Sequence, residues 1–584
     1  MPLAHAALAF AVASALAAAL AATGARLRAL VRVPVWPGLR LPVDFLLGSW
    51  ALGLAVELLG LARAWLPGVL VATAAVLAIS GRWRGNGWRW SVLALPALGA
   101  MVALPVSLAP PFFYDALVYH LGLPWQALLD HGLRAHPEDV FAAFPPLAQL
   151  VSAVPLGLGL ERAPAVLHWW SFVAAGAAAG GLARALGAPR WAAGLAALSL
   201  PLVPALALVP GLPAAEGWAI AGVLAALAVS LAPEVPPGGA LLAGALAGIA
   251  TSARLQGVPW SAMVLALVVL RERRFRALLE IGAGFLAGSA PWWMKNLVLL
   301  SDPVAPILWR REGIETLWRD AGSVSLLAGP ATFLRTLGDN LAPHLAYAGP
   351  LAAAALFALV SRRRQRLWLA GGAMVAGVLA WAATGSLPRF LGPTLAVALA
   401  LAATAARVRL GRLAAGMALA CACTIGTVFS ALQLARWGGL RLAWAPAATV
   451  RTAMVVNDPF PAFAAARALP GEARVLFVGE PRGFGFPRRF VAPSQHDVSP
   501  LRAILDSAHG PAEAVKDLTS RGFTHLLVNQ GELARLSASY PVAPWRDVPG
   551  WRRWNAFLAV LGRPAVQVGG VEIFALAPGK SPAD

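Results

Sequence analysis

Apolar residues fill the first 435 positions in stretches of about bilayer length, and the short segments between them carry most of the arginine. The hydrocarbon core of a membrane takes roughly 20 helical residues. Runs of that order predict membrane helices at 3–23, 42–62, 66–80, 90–108, 163–182, 192–209, 217–232, 238–253, 257–270, 277–293, 345–360, 367–384, 390–405 and 413–435. The pattern reads as a polytopic α-helical membrane protein with about 14 transmembrane helices.

Charge then orients the spans. Arg26, Arg28 and Arg32 form one basic connection, Arg82, Arg84 and Arg89 a second, and Arg184 and Arg190 a third. Arg271, Arg273, Arg274 and Arg276 follow, then Arg362, Arg363, Arg364 and Arg366, and last Arg407, Arg409 and Arg412. They alternate with Arg-poor connections, which predicts them cytoplasmic. Only "APEVPPGG" (232–239) is assigned to that side without a positive charge. Both termini and the segments 109–162, 294–344 and 436–584 are then expected outside the cytoplasm. No Lys or Arg precedes the first apolar run, so no cleaved signal peptide is expected.

Composition agrees with this class: 59% of the 584 residues are hydrophobic and 13% charged, which excludes a water-soluble globule. A net charge of +20 would suggest a nucleic-acid partner in a soluble chain. Here the Arg clusters lie between spans, so the charge reads as topology, with membrane lipids as partners and no nucleic acid. Cys421 and Cys423 are two apart in one apolar run and diverge on a helix, so no disulfide is expected.

Beyond Trp437 the pattern changes. "EARVLFVGE", "RRFVAP", "FTHLLVN" and "GVEIFAL" have strand character, and "SPLRAILDSA" and "AEAVKDLTSRG" have helical spacing. A small periplasmic α/β domain is predicted over 441–584, against a membrane domain over 1–440. Its "GEPRGFGFPRR" stretch is glycine-rich but lacks the GxGxxG order of a nucleotide loop.

The first outer segment opens on "PPFFYDALVYHLGLPW" (110–125), which gathers Asp115, Tyr119 and His120 after an apolar run. Within it "LPWQALLDHGL" and "PPLAQLVSAVPLGLG" read as short helices lying in the interface. The second holds "PWWMKNLVLLSDPVAPILW", with Trp292 and Trp293 at the lipid boundary and Lys295 and Asn296 next. These segments and "GSLPRFLGPTLAVALAL", in this order over residues 90–435, resemble the signatures of bacterial GT-C glycosyltransferases. That multi-pass class includes protein O-mannosyltransferases and the lipid A aminoarabinose transferase. The resemblance implies a polyprenyl-phosphate sugar donor and an acidic residue in the first large outer loop, a role that falls on Asp115. Many members carry two adjacent acids there, whereas Ala116 follows Asp115.

Such a transfer needs a carboxylate to take the acceptor's proton and cations to stabilise the departing phosphate. Asp115 is the candidate base; its alternative is an interface carboxylate that caps a helix or pairs with an Arg. His120 would bind substrate or orient Asp115, and Tyr119, with Tyr114, reads either as a sugar platform or as a belt aromatic. Arg389, after Pro388, is the first candidate for the phosphate, with Lys295 beside Asn296 the second. Arg254 is the third, although an intramembrane cation requires a partner, and an ion pair with Glu216 or Asp302 is its rival reading. Asp130, His131, His136, Glu138 and Asp139 match no zinc spacing, and solvated loop residues are the favoured reading; a divalent cofactor stays open and no metal ligand is assigned. The expected acceptor is a glycan, lipid or protein hydroxyl, reached with inversion at the anomeric carbon. The rival functions are a transporter or flippase of lipid-linked sugars and a non-catalytic envelope scaffold.

Overall fold

Each predicted run is helical in the computed structural model, which describes residues 2–83, 87–322, 330–362 and 364–576. Arg84 and Arg363 of the basic connections, 323–329 of the second outer segment and 577–584 of the C-terminal domain lie outside the described residues. Among the described residues eight helices are long and apolar enough to cross a membrane, including Pro2–Leu30, Pro37–Leu61, Ala163–Ala185 and Arg409–Arg436. A ninth results if Arg190–Leu202 and Pro204–Gly211, which meet at 47°, make one span. The other expected spans, Pro67–Ser80, Glu216–Ser230, Gly239–Ala253, Gly257–Glu272 and Phe275–Gly288, have 14 to 16 residues. At 1.5 Å per residue these fall short of a core about 30 Å thick. The chain is a multi-pass membrane protein, with eight or nine long spans and these five shorter helices among the described residues.

Two helices lie wholly inside the bundle. All residues of Glu216–Ser230 and of Gly392–Ala405 are buried, while Arg409–Arg436 turns Leu410, Leu413 and Met417 outward, as a lipid-facing helix does. Close backbone contact comes from paired glycines. A Cβ at Gly244 would stand 2.1 Å from the Ile281 carbonyl oxygen, and one at Gly284 would stand 2.1 Å from that of Leu241. With Gly248 and Gly288 they give each helix a GxxxG face, the small-residue pattern by which membrane helices pack. This packing fixes where Gly239–Ala253 ends, and thus where Arg254 emerges.

The two ends of the bundle differ in chemistry. At one end Arg271 donates to the carbonyls of Ser230 and Pro233, Arg366 to those of Ala185 and Leu231, and Arg407 to that of Gly187. The "APEVPPGG" turn therefore needs no arginine of its own: Arg271 and Arg366 reach it from neighbouring helices and bond the carbonyls that helix C-termini leave unpaired. At the opposite end the two outer segments meet the C-terminal domain. The expectation of interface helices fails for one of them, since Leu147–Gly157 is buried over Leu147–Leu156 inside the protein. The other is the short helix Gly122–Leu129.

The C-terminal domain holds a five-stranded sheet of β1 (Arg474–Val478), β2 (Arg489–Val491), β3 (His525–Asn529), β4 (Val566–Val568) and β5 (Val571–Ala575) in the order β2-β1-β3-β5-β4. β2, β1 and β3 run parallel, and β5 is antiparallel to both β3 and β4. The predicted strands are present; β4 and the helices Gln530–Ser537 and Val548–Leu561 are additions to them. The domain is docked on both outer segments. Trp125 Nε1 donates to the Phe486 carbonyl at 2.8 Å and Gln126 Nε2 to that of Phe490 at 2.9 Å. Asp497 accepts from the Val140 N–H at 2.8 Å and pairs with Arg311 at 2.5 Å. Glu312 pairs with Arg502 and Arg546 at 2.8 and 2.5 Å.

Candidate active site

Four chain breaks converge where the domain meets the bundle. Asp115 starts a single π-helical turn, Ala116–His120, closed by the Leu121 N–H to Ala116 carbonyl bond; such turns often re-aim side chains at functional sites. Glu216 is the first residue of its helix, where the positive end of the helix dipole favours a carboxylate. Arg254 sits in the extended break between Gly239–Ala253 and Gly257–Glu272, and Arg389 in the turn Pro388–Leu391 that leads into Gly392–Ala405.

Their side chains form one ion network. Arg389 Nη2 donates to Asp115 Oδ2 at 2.6 Å, and its Nε lies 3.4 Å from Glu216 Oε1. Arg254 Nη1 reaches the same Glu216 oxygen at 2.8 Å while its Nε donates to Gln256 at 3.0 Å. Tyr119 donates to Asp115 Oδ2 at 3.4 Å. Phe390 lies under both guanidiniums, 4.6 Å from that of Arg254 and 5.5 Å from that of Arg389. Behind Glu216, the buried His168 accepts the Gly217 N–H at Nε2 and bonds the Leu212 carbonyl through Nδ1, which assigns it the Nδ1-protonated tautomer.

Asp115, Tyr119, His120, Arg254 and Arg389 all line one cavity of about 190 Å³. Gln149, Trp318, Asp320, Gln495 and His496 are further polar residues of its wall. Burial pushes the His120 imidazole down to about 3 against the pull of Glu216, so it is neutral near pH 7 and offers hydrogen bonds rather than charge. Tyr119 is buried and stacks on Phe141 at 4.3 Å, which places it in a packed aromatic cluster and not in a lipid belt. A second cavity of about 540 Å³ lies between segment 112–117 and the C-terminal domain and shares Asp115, Asp320 and Gln495 with the first. Tyr114 is in its wall, and its buried hydroxyl has no hydrogen-bond partner among the described residues.

Two of the sequence candidates are elsewhere. Lys295 is buried, donates to the carbonyls of Ala142 and Phe144, and borders a separate small cavity. Asn296 is fully buried and donates to those of Ala143 and Ala305 at 2.9 Å. Both hold the loop 142–144 in position, and neither lines the cavity of Asp115. The apolar surroundings gave no hint that backbone carbonyls would take up both side chains. The rival reading of Arg254 holds for Glu216; Asp302 instead accepts from the Trp309 indole at 3.0 Å. The pairing of Asp115 with an arginine also holds, with Arg389 as the partner. Sequence gave no sign of His496 and Gln495, which come from the C-terminal domain, or of Asp320.

The acidic and histidine residues of 130–139 do not converge on a metal geometry. His136 pairs with Glu138 at 3.1 Å, Asp139 caps the turn at Phe141, and Asp130 faces Arg134 at 3.5 Å. Among the described residues no three His, Cys, Asp or Glu side chains gather as a ligand set.

No protein-family model and no curated protein matches the chain. Solved structures do resemble it. ArnT from Cupriavidus metallidurans, bound to undecaprenyl phosphate, aligns at 16% identity with a TM-score of 0.47, over 84% of this chain and 98% of that one. Its apo state aligns at 15% identity and a TM-score of 0.49 over the same shares. The oligosaccharyltransferase AglB from Archaeoglobus fulgidus, in complex with an inhibitory peptide and a dolichol-phosphate, aligns at 12% identity and a TM-score of 0.47, over 85% of this chain and 75% of that one. Both proteins are membrane glycosyltransferases of the GT-C superfamily, the class that the sequence resembles.

Proposed function

We propose that the chain transfers a sugar from a polyprenyl-phosphate donor to an acceptor hydroxyl, with Asp115 as base and inversion at the anomeric carbon, at the outer face of a bacterial inner membrane. The observation that carries this reading is the Asp115–Arg389 pair at 2.6 Å in the wall of one cavity with Arg254. A carboxylate and two guanidiniums are the groups that glycosyl transfer from a lipid phosphate requires.

The donor's phosphate binds Arg389 and Arg254, both able to hold it bidentately. Without donor their charges are offset by Asp115 and Glu216, so Arg389 exchanges its bond to Asp115 for one to phosphate. Both hydrogen bonds to Asp115 are on Oδ2, and Oδ1 accepts the acceptor's proton. As the acceptor oxygen attacks the anomeric carbon, the bond from that carbon to the phosphate oxygen breaks and its electron pair leaves on the phosphate. The acceptor occupies the second cavity, beside Tyr114, and residues 441–584 form the domain that closes it. No step is assigned to a metal ion.

Incubation of the purified protein with a radiolabelled polyprenyl-phosphate sugar and a mixed glycan, lipid and peptide acceptor pool tests the reading. Label recovered on an acceptor supports it; uptake of intact donor lipid by vesicles without bond cleavage replaces it with transport.

A further inference from the structure

On the far side of the first outer loop from the ion network is a cavity of about 540 Å³ whose chemistry the transfer reaction does not use. Arg63, Arg134, Arg474 and Arg489 line it together with Asp130 and Glu138. The two carboxylates do not neutralise it. Asp130 is shared between Arg134 at 3.5 Å and Arg489 at 3.7 Å, distances of ion pairing without a hydrogen bond, and Glu138 is bonded to His136. Arg474 donates to the Arg521 carbonyl, which takes none of its charge. Arg63 makes no ion pair among the described residues. Four arginines thus line one pocket with two carboxylates, an excess of two positive charges.

Part of the wall is apolar. Val298 and Leu299, at the end of helix Ala290–Leu300, line the same cavity, and Val298 is 61% exposed. Leu297 beside it and Leu58 and Leu66, which flank the Arg63 turn, are each 49% exposed. A basic cavity bordered by exposed aliphatic side chains at the mouth of a helix bundle has the two halves of an amphiphile's surroundings: guanidiniums for a phosphate and hydrocarbon for acyl chains. The β2 edge supplies Arg489 and the membrane domain supplies Arg63, so a ligand here would join the two domains.

We propose that this cavity binds the phosphodiester headgroup of an anionic phospholipid, with its acyl chains against Val298 and Leu299, and that the lipid fastens the C-terminal domain to the bundle. The proposal is independent of the transferase reading, because its test measures binding and not turnover.

The full chain in detergent is titrated with short-chain phosphatidylglycerol, phosphatidylcholine or inorganic phosphate, and the bound fraction is read by native mass spectrometry. Phosphatidylglycerol is expected to bind more tightly than phosphatidylcholine. Each guanidinium lost at a membrane surface weakens such binding about five-fold, so R63Q/R489Q weakens it about 25-fold, while R276Q, at the opposite end, leaves it unchanged. Both altered side chains are exposed, and an unchanged unfolding midpoint without lipid verifies the variant's fold. Equal binding of the two lipids, unaltered phosphatidylglycerol binding in R63Q/R489Q, or an equal loss in R276Q overturns the proposal. Inorganic phosphate competing at the same concentration as phosphatidylglycerol overturns the lipid assignment in favour of a free-anion site.

Discussion

Arg389 and Asp115 are 274 positions apart in the chain and 2.6 Å apart in the structure. The pair closes the first outer loop onto the start of helix Gly392–Ala405, and both members line the cavity that also holds Arg254. In the proposed reaction this bond is the resting state, broken when phosphate takes the guanidinium.

That role makes the shape of the cation decisive. Arg389→Lys keeps the charge but loses the planar fork that holds two oxygens. Donor binding is expected to weaken at least ten-fold, with a smaller effect from Arg254→Lys, whose Glu216 bond is left in place. Equilibrium binding of labelled donor to the two variants measures the order.

Glu216 is 3% exposed and has two guanidiniums and His168 around it, whereas Asp115 is 24% exposed. Removing one member of a buried ion cluster leaves the others uncompensated and costs about 3–5 kcal/mol. Glu216→Gln should therefore lower the unfolding midpoint much more than Asp115→Asn, as read by thermal unfolding in detergent.

A similar contrast applies in the C-terminal domain. Arg482 is 2% exposed, with Glu480 at 2.6 Å and Glu532 at 3.8 Å, and also bonds the carbonyls of Val456 and Asn457. Arg482→Ala is expected to cost about 3–5 kcal/mol. Glu312→Ala removes two docking ion pairs of a residue 47% exposed, and about 1 kcal/mol is expected. Denaturant unfolding of the two variants tests the ranking.

Burial pushes the His496 imidazole down to about 4, against the pull of Asp320. An imidazole whose folded pKa lies below its unfolded value of about 6.5 stabilises the protein above that value. The unfolded chain binds the extra proton first, so this stability is lost as pH falls from about 6.5 towards 4, by roughly 3 kcal/mol in all. His496→Gln has no such group and should flatten the decline of the unfolding midpoint over that window. An unchanged decline would mean that other groups produce it.

Much of this was legible in the sequence, because a bilayer imposes its length on every apolar run and its sidedness on arginine. The helices follow from those rules, the strands β1, β2, β3 and β5 from their short β-like runs, and the residues that the structure brings together, Asp115, Arg254 and Arg389, stand out as charged groups beside apolar runs. Span length was less legible where Glu216–Ser230 and Gly239–Ala253 are buried by other helices: a helix enclosed by protein need not match the bilayer's thickness. Lys295 and Asn296 follow the tryptophans of a lipid boundary, but most of the carbonyls that hold them belong to residues 142–144, about 150 positions away in sequence. His496 and Gln495 reach the cavity only through domain docking, which leaves no local periodicity to read.

The most direct test is transfer of radiolabelled sugar by the Asp115→Asn protein, compared with the unaltered chain at equal donor occupancy. The account predicts that this variant binds donor lipid but transfers sugar at least 100-fold more slowly, about the lower bound expected for loss of a general base. Transfer at the unaltered rate would contradict it.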